Sequence, residues 1–236
     1  MKWFLILLFT VGLCGQTIQQ RHLSVIKKRV AAGGSGTASY RSYAAAGVNP
    51  DASLTITKPA GTIDGDMMIC FLSADGTLNL TLLSGWTAID SADANGIKSW
   101  SLYKEASSEG ADYTWVFSGS NNIAGHIISI SKDSGTWAAP TGANLHSIAT
   151  ASSTSITSSS VTATDNSILL IGSGHDGGDG DITTPPADMT LCSIQDPGDV
   201  SQVAYYESRS AGAVTKTVDW GAIDGLTCGA VVVGLQ

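Results

Sequence analysis

Apolar and polar positions alternate with a period of two along much of this chain. "ASLTITK" (residues 52–58), "GIKSWSLYKEA" (96–106), "ADYTWVFSG" (111–119) and "NIAGHIISISK" (122–132) each put apolar side chains on one face and polar ones on the other. That is the spacing of a half-buried β-strand. "GDMMICFLSA" (65–74), "NSILLIGSG" (166–174) and "LTCGAVVVGL" (226–235) are unbroken apolar runs of strand length, as expected where both faces are covered. "TSITSSSVTA", "MTLCSIQ", "SQVAYYESRS" and "VTKTVDWG" complete the set. Turn residues separate these segments, and none carries an amphipathic helical period. Ten or eleven short strands spaced in this way predict an all-β chain, an antiparallel β-sandwich of jelly-roll type.

The strand pattern repeats. "GWTAIDS" (85–91) matches "DMTLCSI" (188–194), and "SWSLY" (99–103) matches "QVAYY" (202–206). Each half runs from a buried strand through a long loop to a Thr-bearing strand, a tyrosine-bearing strand and a last apolar strand. An internal pseudo-duplication within one domain, residues 47–236, is therefore expected, with halves near 47–140 and 141–236.

The remaining residues form two further segments. "MKWFLILLFTVGLCGQ" has a lysine, an apolar run and then small residues, the layout of a secretory signal peptide over residues 1–15. Residues 16–46 read as a poorly ordered leader and Gly/Ser-rich linker. Charge sharpens the picture. Six of the 12 basic residues lie at or before Arg41, so residues 42–236 carry 6 basic and 20 acidic side chains, a formal −14. Such a surface repels phosphate backbones, which excludes a nucleic-acid partner, and no membrane span remains once the signal is cleaved. These features predict a secreted or cell-surface protein, or a virion-surface one if phage-encoded. Cys70, Cys192 and Cys228 would stay after cleavage. With no C-x-x-C among them, zinc and dithiol chemistry have no signature.

"TKPAGTIDGDMMICFLSADG", "GWTAIDS", "SWSLYKEASSEGADYTWVFSGS" and "GHIISI" resemble a family of β-sandwich modules found in phage tail and virion surface proteins and in bacterial secreted or surface proteins. Pro59, Gly61, Thr62, Gly65, Asp66, Gly85, Trp86, Thr87, Tyr103, Lys104, Ala106, Tyr113 and Thr114 occupy the places of its recurring motifs. The resemblance covers about residues 50–236 and is strongest over 54–131. It implies a β-sandwich and surface attachment or glycan contact, without a catalytic signature.

Candidate chemistry is sparse. Gly172, Gly174 and Gly177 spell G-x-G-x-x-G after a strand, but "GDGDITTPP" follows. No helix can begin there, and aspartates repel a pyrophosphate, so the dinucleotide reading fails. Asp176, Asp179 and Asp181 in the same stretch are hard oxygen donors that either hold a calcium ion or face water; no other cofactor is implied. Nucleophile and zinc-protease motifs are missing. Asp64, Asp66, Asp75, Asp90, Asp93, Glu105 and Glu109 are the acids that a glycosidase pair would draw on; Asp66 suits a turn. His126 shares a face with Ala124, Ile128 and Ile130, the place of a satisfied interior histidine. Trp86 and Trp115 read as core. Trp137, in the loop "SGTWAAPTG", and Tyr206 are the candidate ligand-binding aromatics. The expected function is a non-catalytic attachment or glycan-contact module whose partner is a surface glycan or other copies of itself. The alternatives are a ligand-free structural subunit of an extracellular or phage assembly and a glycan-active hydrolase.

Overall fold

The computed structural model describes residues 36–94, 96–148, 154–177, 185–221 and 225–236. The expected signal peptide and most of the expected leader lie outside them. The described chain is all-β: β1 (Ala38–Thr57), β2 (Met67–Asp75), β3 (Leu80–Thr81), β4 (Thr87–Ala94), β5 (Ile97–Glu105), β6 (Asp112–Lys132), β7 (Thr141–Ile148), β8 (Ser155–Thr157), β9 (Val161–Ala163), β10 (Ser167–Asp176), β11 (Thr190–Gln195), β12 (Val200–Arg209), β13 (Gly212–Val214), β14 (Thr217–Asp219) and β15 (Leu226–Val233). One sheet has the order β1-β6-β2-β5-β4, with β3 also on β6; the other is β11-β12-β10-β15-β7. Every strand pairing is antiparallel.

The apolar runs explain how the layers stack. In β2, Met67, Ile69 and Phe71 face a central core shared with Ile168, Leu170, Ala204, Val231 and Val233 of the second sheet. Met68, Cys70 and Leu72 face the other way, into an outer core with Leu54, Ile56, Trp100, Tyr113, Trp115 and Phe117. An antiparallel strand that is apolar on both faces requires cover on both faces. In the first half, β1 and β6 supply it. At 20 and 21 residues both are about twice the upper end of the usual strand length, and register shifts around Asp51 let residues 53–57 and 112–116 fold back over the sheet. Gly125 marks the close approach, because a Cβ there would meet Leu72, Ile56 and Leu54 within 3.0 Å. In the second half the cover is two short pairs, β8–β14 and β9–β13. They close Ile156, Val161, Val218 and Trp220 over Leu169, Ile171, Val203 and Cys228.

The repeat read from the sequence is a repeat of register. Taken from the β1 and β7 edges, the two sheets run β1-β6-β2-β5-β4 and β7-β15-β10-β12-β11. Ile69 stands between Tyr103 and Ile128, as Leu170 stands between Tyr206 and Val231. Bulges recur between Ala88 and Asp90 and between Leu191 and Ser193, turning Ile89 and Cys192 toward the central core. Thr55 hydrogen-bonds Thr114 at 2.9 Å, and Thr157 bonds Thr217 at 2.7 Å.

Three expectations change. Residues 38–46, expected in the leader, belong to β1: "ASYRSYAAA" has no apolar alternation because it forms an edge strand held by backbone pairing to residues 125–132. The segments 111–119 and 122–132 are one continuous strand, and β7 was unmarked by any apolar pattern. Each sheet also comes from one half of the chain, so the strands do not interleave between sheets in the manner of a jelly roll.

The G-x-G-x-x-G string finds its physical reason here. Gly172 and Gly174 lie inside β10, and added Cβ atoms would fall 2.3 Å from the Phe71 ring and 2.4 Å from Ser73 Oγ. They permit close packing of the sheets and make no phosphate turn. Cys70, Cys192 and Cys228 are free and buried, each in a different core layer. Burial pushes the Cys192 and Cys228 thiols up to about 12 and Cys70 well above the ordinary range, so they pack as small hydrophobes.

Candidate functional site

One end of the sandwich carries a groove with a volume of about 290 Å³, lined by Thr37, Ala38, Ser39, Asn166, Arg209 and the serines flanking them on β10 and β12. Three elements converge to build it. β1 begins there, with Ala38 N–H donating to Asn166 O at 2.9 Å. The turn into β10 supplies Asn166, whose positive φ of 58° suits an asparagine. β12 ends there. Behind the groove, buried Glu207 holds Arg209 Nη1 at 3.2 Å through one carboxylate oxygen and Lys216 Nζ at 2.8 Å through the other. Asp165, which accepts from Ala211 N–H at 2.8 Å, adds a further carboxylate at this corner.

Beside the groove stands a tyrosine pair. Tyr206 shares a face of β12 with Ser208, and it stacks on Tyr40 with ring centroids 3.8 Å apart and planes 4° from parallel. Burial, then the neighbouring Cys192, Tyr206 and Tyr43, push the Tyr40 hydroxyl up to about 12, so it remains a neutral donor. Thr37 N–H donates to Asp133 Oδ1 at 2.7 Å, which pins the rim. The groove thus presents hydroxyls, one side-chain amide and one guanidinium next to aromatic surface.

Of the aromatics expected from sequence, neither lines the groove: Tyr206 stands beside it, and Trp137 is buried in the central core. Trp137 is 6% exposed and donates its indole N–H to Gly65 O at 2.7 Å, with Lys132 Nζ 5.1 Å from its ring centre. The surrounding loop looks polar, but the ring plugs the edge of the central core, so Trp137 is a buried structural residue and not an exposed aromatic. Asp176 ends β10 at the opposite end of the sandwich, while Asp179 and Asp181 fall outside the described residues. Among the described residues, no three His, Cys, Asp or Glu side chains gather as a metal site.

The motif acids hold turns. Arg41 pairs with Asp66 at 2.7 Å, and Ile63 N–H donates to Asp66 Oδ2 at 3.0 Å. Glu109 accepts from Lys104 at 2.8 Å and Tyr113 at 2.9 Å; burial alone would raise its pKa, but these donors and Ser107 N–H hold it below the usual range.

A buried polar seam crosses between the sheets. His126, fully buried, donates from Nδ1 to Gln202 Oε1 at 3.0 Å and accepts at Nε2 from Ser193 Oγ at 2.8 Å. Gln202 Nε2 donates to Ser73 Oγ at 3.2 Å, and the chain continues through Ser99 to Thr227, each step 2.7 Å. Ser193–His126 has the form of a nucleophile and base. Burial lowers the imidazole to about 4 despite help from Gln202 and Ser193. Its second nitrogen meets a neutral amide, which cannot stabilise the imidazolium that such a mechanism requires. The seam is a satisfied structural network, as its apolar strand context implied.

Sequence reasoning missed Tyr40, Thr37 and Asn166, which lie in a segment read as leader or in a turn. The only signal for them was the turn-forming "TDNS" before β10. Comparisons with family models, curated proteins and solved structures give no match to this chain.

Proposed function

We propose that the protein is a non-catalytic attachment module, of the kind its motifs resemble, that contacts a glycan at the groove beside Tyr40 and Tyr206. The observation that carries this reading is the chemistry of that groove. Hydroxyls, an amide and a guanidinium supply the hydrogen bonds that sugar hydroxyls exchange. An adjacent tyrosine edge offers rigid amphipathic surface for the C–H face of a sugar ring. Among the described residues no helix is long and apolar enough to cross a membrane. Glycan-array screening of the full chain, followed by calorimetric titration of the hits, tests it. Binding is expected to fall at least tenfold in Ser208→Trp, which fills the groove, and several-fold in Tyr206→Leu. Binding unchanged in Ser208→Trp, or no binding by the wild type, overturns the assignment.

A second reading, a structural subunit that pairs with its own copies, is favoured by one observation. β11 is a sheet edge, and Leu191 and Ile194 on it are 46% and 41% exposed. An unpaired apolar edge of this kind is a template for another strand. Light scattering coupled to gel filtration separates the two: the subunit reading requires a defined oligomer that Ile194→Lys dissolves.

A further inference from the structure

Asn79, Leu80 and Thr81 form the sequence Asn-x-Thr, and Asn79 is the one asparagine in the chain with Ser or Thr at that spacing. β3 pairs with β6 through Leu80–Phe117 and Thr81–Val116. One step earlier, Asn79 N–H donates to Ser118 Oγ at 2.9 Å, and Ser118 N–H donates to Asn79 O at 2.9 Å. Side chains therefore alternate across an extended backbone. Leu80 turns in and packs on the outer core with Leu78 and Leu83. Asn79 and Thr81 turn out, and both are exposed.

The polar atoms of these two outward side chains are open. Asn79 Oδ1 accepts from Lys98 Nζ at 3.3 Å, and no hydrogen bond among the described residues engages its Nδ2 or the Thr81 hydroxyl. Asn121 and Asn122 differ: the first gives its Nδ2 to Asp75 O at 2.9 Å, and the second is 5% exposed. β3 has β6 as its single neighbour, so a bulky group on Asn79 meets no further strand. Beside it lies uncovered apolar surface. Val116, opposite Thr81 and diagonal to Asn79, is 46% exposed, and so is Leu82. Diagonal cross-strand neighbours lie ~7–8 Å apart, within reach of the first sugars of a chain attached at Nδ2.

From this arrangement we infer that Asn79 is an N-glycosylation site, the acceptor for an oligosaccharide carried on a polyprenyl pyrophosphate in a secretory membrane. Asn79 Nδ2 forms a bond to the anomeric carbon of the first sugar and loses a proton. The bond from that carbon to the pyrophosphate oxygen breaks, and the lipid pyrophosphate leaves with the electron pair. The Thr81 hydroxyl is the recognition element of the sequon. Asn79 precedes β6 in the chain, so the sequon is available before Ser118 closes on it. In the folded protein the C–H faces of the attached sugars cover Val116 and Leu82. The inference draws on the N-terminal signal expected from the sequence and is independent of the groove and of the glycan-contact reading.

The experiment is expression of the full chain in insect cells, once with its own N-terminus and once with an established secretory signal in place of residues 1–15. The protein is expected to shift in mobility on treatment with peptide N-glycosidase, and peptide mass spectrometry in heavy-oxygen water is expected to place the label at position 79. Asn79→Gln and Thr81→Ala are expected to be secreted without the shift, and Thr81→Ser to keep it. Enzymatic removal of the sugars is expected to lower the melting temperature by a few degrees, and by less in Val116→Thr, which has less apolar surface to cover. No glycan on Asn79 in either chain, or a shift retained in Asn79→Gln, overturns the site. Equal melting temperatures before and after sugar removal overturn the covering of Val116 and Leu82.

Discussion

Acid should weaken this fold through one histidine. His126 is fully buried, and desolvation lowers its pKa from 6.5 to about 4. As pH falls below 6.5 the unfolded chain takes up a proton that the folded chain refuses. Its contribution is therefore present above pH 6.5 and lost progressively as pH drops toward 4. Each unit of difference between the two states is worth about 1.4 kcal/mol. Integrating that gap from pH 7 to pH 4.5 gives a loss of roughly 2–3 kcal/mol from this residue alone, a substantial share of a domain's usual ~5–15 kcal/mol. Carboxylates titrate in the same range, so a control is needed. His126→Gln keeps an amide between Gln202 and Ser193 but cannot titrate. Urea unfolding of both proteins at pH 7.0 and 4.5, followed by tryptophan fluorescence, supplies the comparison. The variant is expected to be less stable at pH 7 and to lose about 2–3 kcal/mol less than the wild type on acidification. Parallel pH dependences in the two proteins would refute the argument, since they would mean that His126 carries the same proton folded and unfolded.

Three other outcomes follow from the packing. Gly172→Ala places a methyl 2.3 Å from the Phe71 ring and is expected to cost about 1–3 kcal/mol by overpacking; thermal melts check this, with partial recovery when Phe71→Leu is added. Trp137→Phe removes the indole bond to Gly65 O and should cost about 1 kcal/mol, whereas Trp137→Ala should cost about 3–5 kcal/mol, with glycan affinity unchanged in any folded variant. Cys70, Cys192 and Cys228 should resist alkylation in the native protein and react together in urea, read by peptide mass spectrometry; rapid native labelling of any of them would contradict their burial.

Legibility in the sequence tracked how strongly burial dictates side-chain type. Strands apolar on both faces, such as "MMICFL" and "ILLIG", declared themselves, because nothing but two covered faces demands such runs. Alternating strands were equally plain, and the repeat could be read because both tyrosine-bearing strands keep the same register. The edges were not legible: β1 before residue 49 and β7 are held by backbone hydrogen bonds, which leave no mark on side-chain pattern. Tyr206 sits on a readable strand, yet its stacking partner Tyr40 was hidden in an apparent leader. Trp137 misled because a polar loop sequence does not reveal that its one ring turns inward. His126 was legible as interior, but its partners Gln202 and Ser193 come from the other half of the chain, a pairing that only the packing of two sheets creates.

The two outer covers differ in attachment, and that sets an order of opening. In the first half the cover is the end of β1 and the start of β6, so lifting it means unzipping the edge strand and its neighbour, which also build the sheet. In the second half it is two ladders of three residue pairs each, tied to the sheet through side chains, Lys216 Nζ to Glu207 at 2.8 Å and Trp220 Nε1 to Ser173 Oγ at 2.9 Å. Under thermal fluctuation or mechanical load the second cover can swing away like a hinged flap, baring Trp220 and Val218, while the first behaves as a clasp. Amide hydrogens of β8, β9, β13 and β14 should accordingly exchange ahead of residues 53–57 and 112–116, so that two halves sharing one architecture differ in how readily they yield.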